Sequence, residues 1–251
     1  MPPNSASDDH YLAHRIAAEA AERLSKLQST RLGAGAYHYD VELAGDRESH
    51  GWILDELTAA RPNDAVLSEE GDSSDDRRLS SDRVWVVDPL DGSASFGYGS
   101  PEWAVHVALV ADGEAVAGAI ASPGVGVVAS THLMPTREID VREKPVVVVG
   151  RTRVRSDGAR VAEALDAEVF ACSSAGFKAA LVITGRADVY VHSSPIYEWD
   201  VCAPALAASA AGLDVSDPAG NPLEFNKPYP TVPGLVICRP GLTADVLSAI
   251  R

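Results

Sequence analysis

The spacing of hydrophobic and polar residues changes along the chain. In the first half, alanine-rich helical periodicity predicts one helix over Asp8–Leu27 and a second over Glu48–Ala60. Two short apolar strands follow, at Val66-Leu67 and at Val84–Val87, and each of them ends in an acidic run. From Trp103 to His132, β-rich segments alternate with glycine turns, which predicts an antiparallel meander.

Polar segments without periodicity separate these elements. Asp8 or Asp9 is expected to cap the first helix, and the glycine-containing segment Arg31–Tyr37 is expected to be a flexible loop. Gly71–Asp76 is not flanked by apolar residues, so we expect an exposed acidic loop whose carboxylates face solvent.

In the second half, strands alternate with helices, which is typical of an α/β unit with a layered sheet. The charged segment 135–144 lacks periodicity, so we expect an N-terminal α+β domain over 1–135 and a C-terminal α/β domain over 136–251. The predicted strands of this half are 146–149, 169–173, 189–192 and 236–238, and its predicted helices are 157–165, 176–184, 199–211 and 243–250.

Composition and charge exclude several classes of protein. Hydrophobic residues make up 46% of the chain and charged residues 23%, as in soluble globular proteins. The net charge of −15 repels phosphates, so no nucleic acid polymer is expected as a partner. No apolar run approaches the roughly 20 residues that cross a bilayer, and the N-terminus lacks a secretory signal pattern. The three scattered cysteines, Cys172, Cys202 and Cys238, favour buried thiols in a reducing cytoplasm.

Three short acidic runs carry the candidate chemistry: Glu69-Glu70, Asp88-Pro89-Leu90-Asp91-Gly92-Ser93 and Trp199-Asp200. Two of them directly follow apolar strands, whose ends hold side chains in fixed positions. Clustered carboxylates repel one another unless cations neutralise them. An oxygen-only cluster suits magnesium, which prefers carboxylates, waters and substrate phosphate. Each run alone could be a solvated acidic turn, but the three together favour a magnesium site.

The middle run has the features of a phosphate site. Pro89 cannot extend a strand ladder, so we expect the chain to turn just after Asp88 and to bring Asp91 towards the same ions. The turn would also expose the Leu90 carbonyl as a further oxygen ligand. A helical turn that begins at Ser93 would present free N–H groups to a phosphate.

A pair of magnesium ions at such a site could hydrolyse a phosphate monoester. One ion would lower the pKa of a bound water, and the other would stabilise the leaving alkoxide. Asp200 is the obvious distant contributor, since the start of a helix favours its negative charge.

These runs, in this order, resemble the inositol monophosphatase superfamily of lithium-sensitive, magnesium-dependent phosphatases. The matching segments are Glu69-Glu70, Trp85–Phe96 and Glu198–Pro204. Within the superfamily the chain is most similar to the CysQ branch, the 3′-phosphoadenosine 5′-phosphate phosphatases, in particular the actinobacterial type. The segments that suggest this branch are 44–47, 64–70, 81–85, 174–178 and 198–200.

The resemblance implies an α/β (α+β) fold, a layered α-β-α-β-α sandwich of the sugar-phosphatase type, and a role for each matching residue. Glu69, Asp88 and the Leu90 carbonyl would bind a first metal, and Asp88, Asp91 and Asp200 would bind a second. Gly92 and Ser93 would hold the phosphate through backbone N–H groups, while the Ser93 hydroxyl and Asp46 would orient the attacking water and Glu70 would support these groups. Ser174 and Lys178 lie in the segment that contacts the nucleotide. Two or three magnesium ions per chain are expected, the third near Asp46.

The chain departs from the family pattern at a few positions. Ser93 replaces the commoner threonine and keeps the hydroxyl, whereas the residues around Asp46 differ from the usual ones. Gly176 falls where many relatives carry a larger residue. These changes bear on substrate choice more than on metal chemistry.

Several side chains have a weaker claim on function. His10 and His14 are four residues apart but lack the glutamate of a metalloprotease motif, so we take them as solvated. His106 is expected to be packed or hydrogen-bonded, and His50 could approach the mouth of the site. The further candidates for a second substrate phosphate are Lys227 and Arg239.

Three functions therefore stay open. The first is removal of the 3′-phosphate from 3′-phosphoadenosine 5′-phosphate to give AMP and phosphate. The second is the same chemistry on another small monoester, such as inositol monophosphate, fructose bisphosphate or a nucleoside monophosphate. The third is an inactive metal-binding regulatory protein. The expected partner is a small phosphorylated substrate, with no membrane, and the chain is expected to be a monomer or homodimer.

Overall fold

A computed structural model describes residues 6–71, 76–136 and 143–251. Most of the predicted acidic loop Gly71–Asp76 and of the predicted boundary segment 135–144 lies outside the described residues.

The first half of the chain forms a five-stranded sheet in the order β1-β2-β3-β4-β5. Its strands are β1 (Ala65–Ser68), β2 (Arg83–Asp91), β3 (Ala104–Ala111), β4 (Glu114–Ser122) and β5 (Val127–Ser130). β1 pairs with β2 in parallel, and the remaining pairs are antiparallel. The meander predicted between Trp103 and His132 is confirmed.

Helices α1 (Ala6–Gly33) and α2 (His38–Ala60) cover one face of this sheet, and both are longer than predicted. The flexible loop predicted over Arg31–Tyr37 is therefore wrong at its start, because α1 continues to Gly33 before the chain turns. The second helix begins ten residues before the predicted Glu48, from His38 onwards. Gly45 has low helix propensity, but packing of α2 on the sheet outweighs it.

The predicted N-cap of α1 is also wrong, because the helix begins before Asp8 and Asp9. Asp9 is buried instead and accepts ion pairs from Arg61 at 2.7 Å and from Arg83 at 3.1 Å. These arginines lie after α2 and in β2, so Asp9 ties α1 to the sheet.

The second half forms another five-stranded sheet, in the order β10-β12-β8-β6-β7. Its strands are β6 (Val146–Val149), β7 (Glu168–Ala171), β8 (Val189–His192), β10 (Asp214–Ser216) and β12 (Leu235–Cys238), and a separate two-stranded ribbon joins β9 (Ile196–Tyr197) to β11 (Thr231–Val232). The patterns of the sequence predicted β6, β7, β8 and β12 but missed the short strands β9, β10 and β11.

The described residues contain five further α-helices: α3 (Ser93–Gly97), α4 (Ala159–Leu165), α5 (Ala175–Ile183), α6 (Glu198–Ala210) and α7 (Thr243–Ile250). Each was predicted within a few residues. A short 3₁₀ turn over Asp76–Ser80 was not.

Three hydrophobic clusters arrange these elements into layers. One cluster joins α1 and α2 to the first sheet, another lies between the two sheets around α5 and α6, and a third joins the second sheet to α4 and α7. The order is helices, sheet, helices, sheet, helices, so the predicted layered α-β-α-β-α sandwich is confirmed. Because the middle cluster contains residues of both halves, it holds the two sheets together.

The described cysteines behave as the sequence predicts. Cys172, Cys202 and Cys238 are all buried and free of disulfide bonds. Among the described residues, no helix is long and apolar enough to span a membrane. The division into domains at residue 135 stays a prediction.

Candidate active site

The end of β2 forms a bulge that carries the middle acidic run. Asp88 pairs with His106 and Asp91 with Ala104, and the register shifts between them. The turn predicted directly after Asp88 is thus wrong in form, because the strand continues to Asp91 around an irregular Pro89-Leu90 step. The Ser49 hydroxyl of α2 donates to the Pro89 carbonyl at 2.7 Å and fixes the bulge.

Gly92 follows the bulge with a left-handed backbone (φ 93°) and directly precedes α3. A Cβ at this position would lie 2.8 Å from the Glu102 carbonyl oxygen, so only glycine fits without a shift. Ser93, the first residue of α3, lies 3.5 Å from Glu42 through its hydroxyl. Both residues predicted to hold phosphate therefore lie next to the acidic bulge.

Three carboxylates from distant parts of the chain meet here. Oxygen atoms of Asp88, Asp91 and Asp200 all lie within 4.8 Å of one another. Asp88 and Asp91 are buried on β2, and Asp200 lies in the first turn of α6. An oxygen-only, partly buried donor set of this kind fits a hard divalent cation.

The environment of Asp91 stabilises its charge. Its Oδ2 atom accepts hydrogen bonds from the Ser174 hydroxyl at 2.5 Å and from the Gly176 amide at 2.7 Å. Ser174 in turn caps α5, since its hydroxyl accepts from the Phe177 amide. Although burial alone would raise the pKa of Asp91, the adjacent His106 and these contacts lower it.

The neighbouring carboxylates shift in the opposite direction. Burial and the adjacent negative charges of Asp91 and Glu69 raise the pKa of Asp88 well above its ordinary value. Burial and Asp91 raise the pKa of Asp200 to about 7. Without a cation, burial and neighbouring charge thus favour the protonated forms of these two groups, and a bound metal would favour the ionised forms.

Glu69 lies at the exposed edge of this group. Its carboxyl group contacts that of Asp88, and partial desolvation together with the charges of Asp91 and Glu70 raises its pKa. The Leu90 amide donates to Asp88 Oδ1 at 3.0 Å. Leu90, the other predicted contributor to a first metal site, therefore adjoins the same carboxylate.

A second acidic group faces this edge from α2. Desolvation, followed by the charges of Glu70, Glu69 and Glu42, raises the pKa of Asp46 to about 7. Glu42 lies one helical turn before Asp46 and was not predicted. Its spacing of four residues from Asp46 was the available signal, but α2 was predicted to begin too late to show it.

A cavity of about 360 Å³ opens beside the carboxylates. Its lining includes Asp91, Asp200 and Lys178 together with Arg151, Arg153 and His192. Lys178 is 5% exposed, and its Nζ donates to the Ser174 carbonyl at 2.5 Å. The predicted candidates Ser174 and Lys178 thus lie at this cavity, whereas the two arginines were missed because their segment lacks a periodic signal.

Arg151 and Arg153 are held by neighbours on both sides of the cavity. Arg151 makes two contacts of 2.7 Å with Glu102, and Arg153 donates to the Ser194 hydroxyl. These basic groups stand out in a chain of net charge −15. Each also lies beside a carboxylate, Arg151 beside Glu102 and Arg153 beside Asp157, so the lining of the cavity carries charges of both signs.

Other predicted candidates lie elsewhere or have structural partners. His10 and His14 contact Thr131 and Ser130 through their Nδ1 atoms, so they are not simply solvated. His50 contacts Ser68, directly before Glu69, and is thus near the acidic edge.

Lys227 and Arg239 do not line the cavity. The Lys227 amide donates to Glu198 at 3.0 Å, and Arg239 pairs with Asp188 at 3.1 Å. Asp188 precedes β8, whose far end carries His192 at the cavity. Arg239 is therefore separated from the cavity by the length of that strand.

The inositol monophosphatase family model matches residues 9–250. The chain belongs to this family. A 3′-phosphoadenosine 5′-phosphate phosphatase of Mycobacterium bovis is 38% identical over 220 residues, covering 82% of this chain and 80% of the relative. The 3′(2′),5′-bisphosphate nucleotidase CysQ of Escherichia coli is 30% identical over 192 residues, covering 72% and 78% respectively.

A solved member of the inositol monophosphatase family has the same fold. The crystal structure of CysQ from Bacteroides thetaiotaomicron has a TM-score of 0.73 and 23% sequence identity, covering 93% of this chain and 97% of that one. The resemblance read from the acidic motifs is therefore confirmed, both for the family and for the CysQ-like branch.

Proposed function

We propose that this phosphatase removes the 3′-phosphate from 3′-phosphoadenosine 5′-phosphate and releases AMP and phosphate. Membership of the inositol monophosphatase family makes the chain a metal-dependent phosphomonoesterase. The similarity to mycobacterial 3′-phosphoadenosine 5′-phosphate phosphatases supports this substrate. One observation carries the proposal: the cavity that contains Asp91 and Asp200 of the carboxylate cluster is also lined by Arg153 and Lys178.

The cavity supports a substrate with two phosphate groups. A phosphate that reacts at Asp88, Asp91 and Asp200 leaves the rest of the substrate close to Arg153 and Lys178. Guanidinium and ammonium groups bind phosphate strongly, so they would bind the 5′-phosphate of a nucleoside bisphosphate. Inositol monophosphate has no second phosphate to place there.

Magnesium is the proposed metal, with two ions per chain. A third ion near Asp46 stays a prediction. Glu69, Asp88 and the Leu90 carbonyl would hold one ion, and Asp88, Asp91 and Asp200 the other. When bound, magnesium supplies a water of lowered pKa and positive charge at the leaving oxygen. The oxygen-only donor set is what supports this metal.

The surrounding residues would position the reacting groups. Gly92 and Ser93 would bind the phosphate by their backbone N–H groups, and the Ser93 hydroxyl and Asp46 would orient the attacking water. Attack on phosphorus breaks the bond to the 3′-oxygen, which leaves with a proton as the free hydroxyl. Glu70, beside Asp46 and Glu69, would support these positions through its charge.

A substrate panel tests the proposal. With magnesium, we expect 3′-phosphoadenosine 5′-phosphate to be hydrolysed with a higher kcat/KM than 3′-AMP, inositol 1-phosphate or fructose 1,6-bisphosphate, and lithium or calcium to inhibit. Arg153→Met should reduce the preference over 3′-AMP about tenfold or more, since it removes one charged contact to the 5′-phosphate.

Arg155→Met is the matched control, because Arg155 is exposed and is not among the residues that line the cavity. It should leave the preference unchanged. A preference for inositol phosphates would refute the substrate. Magnesium binding without turnover of any ester would favour an inactive regulatory protein instead.

We also propose that the protein acts in the cytoplasm. The three buried free thiols support a reducing cytoplasm. The oligomeric state, monomer or homodimer, stays a prediction.

A further inference from the structure

His106 lies between the acidic bulge of β2 and the start of α6. It is fully buried on β3, opposite Asp88 in the register of the sheet. Its Nδ1 atom lies 2.9 Å from the Trp199 carbonyl oxygen, and its Nε2 atom lies 3.3 Å from Asp91 Oδ2. One imidazole therefore contacts the residue before Asp200 and the carboxylate of Asp91.

The chemistry of these contacts determines the orientation of the ring. A carbonyl oxygen only accepts hydrogen bonds, so Nδ1 carries the proton that is donated to Trp199. Within the described residues, Nε2 is buried and makes no well-aligned hydrogen bond, although Asp91 Oδ2 is close. The ring is thus anchored on the α6 side. On the β2 side Nε2 faces the Asp91 carboxylate, and this contact is favourable when Nε2 also carries a proton.

Gly176 makes this arrangement possible. A Cβ at this position would lie 2.1 Å from His106 Nε2 and 2.7 Å from the Ala104 side chain. The Gly176 amide also donates to the same Asp91 oxygen. The absence of a side chain at Gly176 therefore leaves room for the imidazole.

The neighbours of His106 on β3 show that packing alone does not require a polar ring. Ala108 and Val110 lie on the same face of the strand, in the apolar cluster between the sheets. An aliphatic side chain at position 106 would suit that cluster equally well. A buried histidine there needs the polar contacts to Trp199 and Asp91 to offset its desolvation.

We propose that His106 is a positioning residue that sets the distance between Asp91 and Asp200, and thereby the affinity of the carboxylate cluster for its metal. Asp91 belongs to the first sheet, whereas Asp200 belongs to a helix between the sheets. The imidazole connects the two through one ring, as outer-shell partners of metal ligands do. The inference rests on the proposed metal-dependent function of the same site.

Magnesium affinity of the full chain, measured by calorimetry, tests this role. His106→Ala should weaken binding about tenfold or more, as loss of an outer-shell partner typically does. His106→Asn should stay within about threefold of the original affinity, because its amide N–H₂ can replace Nδ1 as the donor to Trp199. His106→Gln places its amide closer to the Nε2 position and should bind more weakly than the asparagine variant.

Val110→Ala is the matched control, since it creates a cavity on the same face of the same strand. It should lower the melting temperature in chelator but leave magnesium affinity unchanged. Equal affinity of His106→Ala and the original protein would overturn the proposal. So would an equal loss in the alanine and asparagine variants, because that result would indicate packing alone.

If His106→Ala does not fold, the asparagine and glutamine variants decide the question. Equal affinity in these two would contradict the inference. Absence of magnesium binding by the original protein would refute the proposed function, and the positioning role with it. Intact binding and turnover in the original protein, with no effect of His106 variants, would refute the positioning role only.

Discussion

At the scale of single residues, two carboxylates three positions apart have opposite titration behaviour. Asp88 and Asp91 are both buried, at 1% and 7% exposure, so burial alone would raise both pKa values. Contacts with His106, Lys178 and Ser174 lower the pKa of Asp91, whereas neighbouring carboxylates raise that of Asp88 further. The bulge thus places Asp91, whose ionised form is stabilised, beside Asp88, whose ionised form is destabilised.

Asp88→Asn should separate stability from activity. Turnover should fall at least about a hundredfold, since Asp88 is a proposed ligand of both ions and contributes no less than a residue that only hydrogen-bonds to a ligand. In chelator, the variant should be about 1 kcal/mol more stable or better, roughly 2–4 °C in Tm, because folding no longer places an ionisable carboxyl group where its charge is disfavoured.

The control for this prediction is Asp55→Asn, which neutralises an exposed carboxylate of α2. Its Tm and turnover should be unchanged. A lower Tm for Asp88→Asn in chelator would show that the Asp88 carboxylate does not destabilise the metal-free protein.

The raised pKa values also predict how stability depends on pH. Asp46 and Asp200 both have a pKa of about 7, with burial as the largest cause. Below about pH 4 both groups are protonated in the folded and unfolded states and contribute nothing. Between about pH 4 and 7 the unfolded chain loses these protons first, so rising pH destabilises the folded state, fully so above about pH 7.

Metal-free protein should therefore melt a few degrees higher at about pH 5.5 than at about pH 7.5. Thermal melts in chelator measure this difference, and Asp200→Asn should reduce it. A Tm that rises over this interval would contradict the assigned shifts.

At the scale of elements, close packing of α2 holds the bulge of β2 in place. A Cβ at Gly45 would lie 2.8 Å from both Leu90 Cδ2 and Phe96 Cε1. The helix therefore approaches the bulge and α3 without any side chain between them. This contact brings Asp46, the next residue, to the edge of the acidic cluster.

Two glycines of the same helix give a matched prediction. Gly45→Ala should destabilise the protein by about 1–3 kcal/mol, because overpacking outweighs the gain in helix propensity. Gly51 is exposed and has open space around its Cβ position, so Gly51→Ala should stabilise by about 0.5–1 kcal/mol. Urea unfolding measures both, and the same sign in both variants would contradict the packing argument.

At the scale of the whole molecule, the carboxylate cluster contains residues from two different layers of the fold, which come from distant parts of the chain. Asp88 and Asp91 lie in the first sheet, and Asp200 begins a helix between the sheets. In a chain of net charge −15, repulsion at this point adds to repulsion over the entire surface. A divalent cation bound at the cluster would reduce the repulsion between these carboxylates and would connect the two halves of the chain.

Magnesium should therefore raise the Tm of the whole protein in one cooperative transition. At a hundredfold excess over Kd the gain is about 2.7 kcal/mol, or roughly 5–10 °C. Sodium chloride at matched ionic strength is the control for general screening and should give a smaller shift. Equal shifts with both salts would contradict a specific site.

The same three scales show which features the sequence could predict. Strands such as β6 follow from continuous apolar runs and helices such as α1 from alanine-rich periodicity, and the acidic motifs identify the family. The start of α2 was missed because Gly45 has low helix propensity and its packing partner Leu90 is distant in sequence. The roles of His106, Arg151 and Arg153 carry no local signal, since they depend on contacts made across the fold. The signal from Glu42, its spacing from Asp46, was missed because α2 was predicted to begin too late.

The sequence by itself determined the order of the elements, the acidic motifs and hence the family and its chemistry, because these depend on residues close together in the chain. Only the tertiary structure decided which side chains meet. It placed Asp200 beside Asp88 and Asp91, set His106 against Gly176 and brought Arg153 and Lys178 to the cavity beside them. The physical reason is that desolvation, close packing and charge pairing depend on distances in space, and sequence periodicity does not specify those distances.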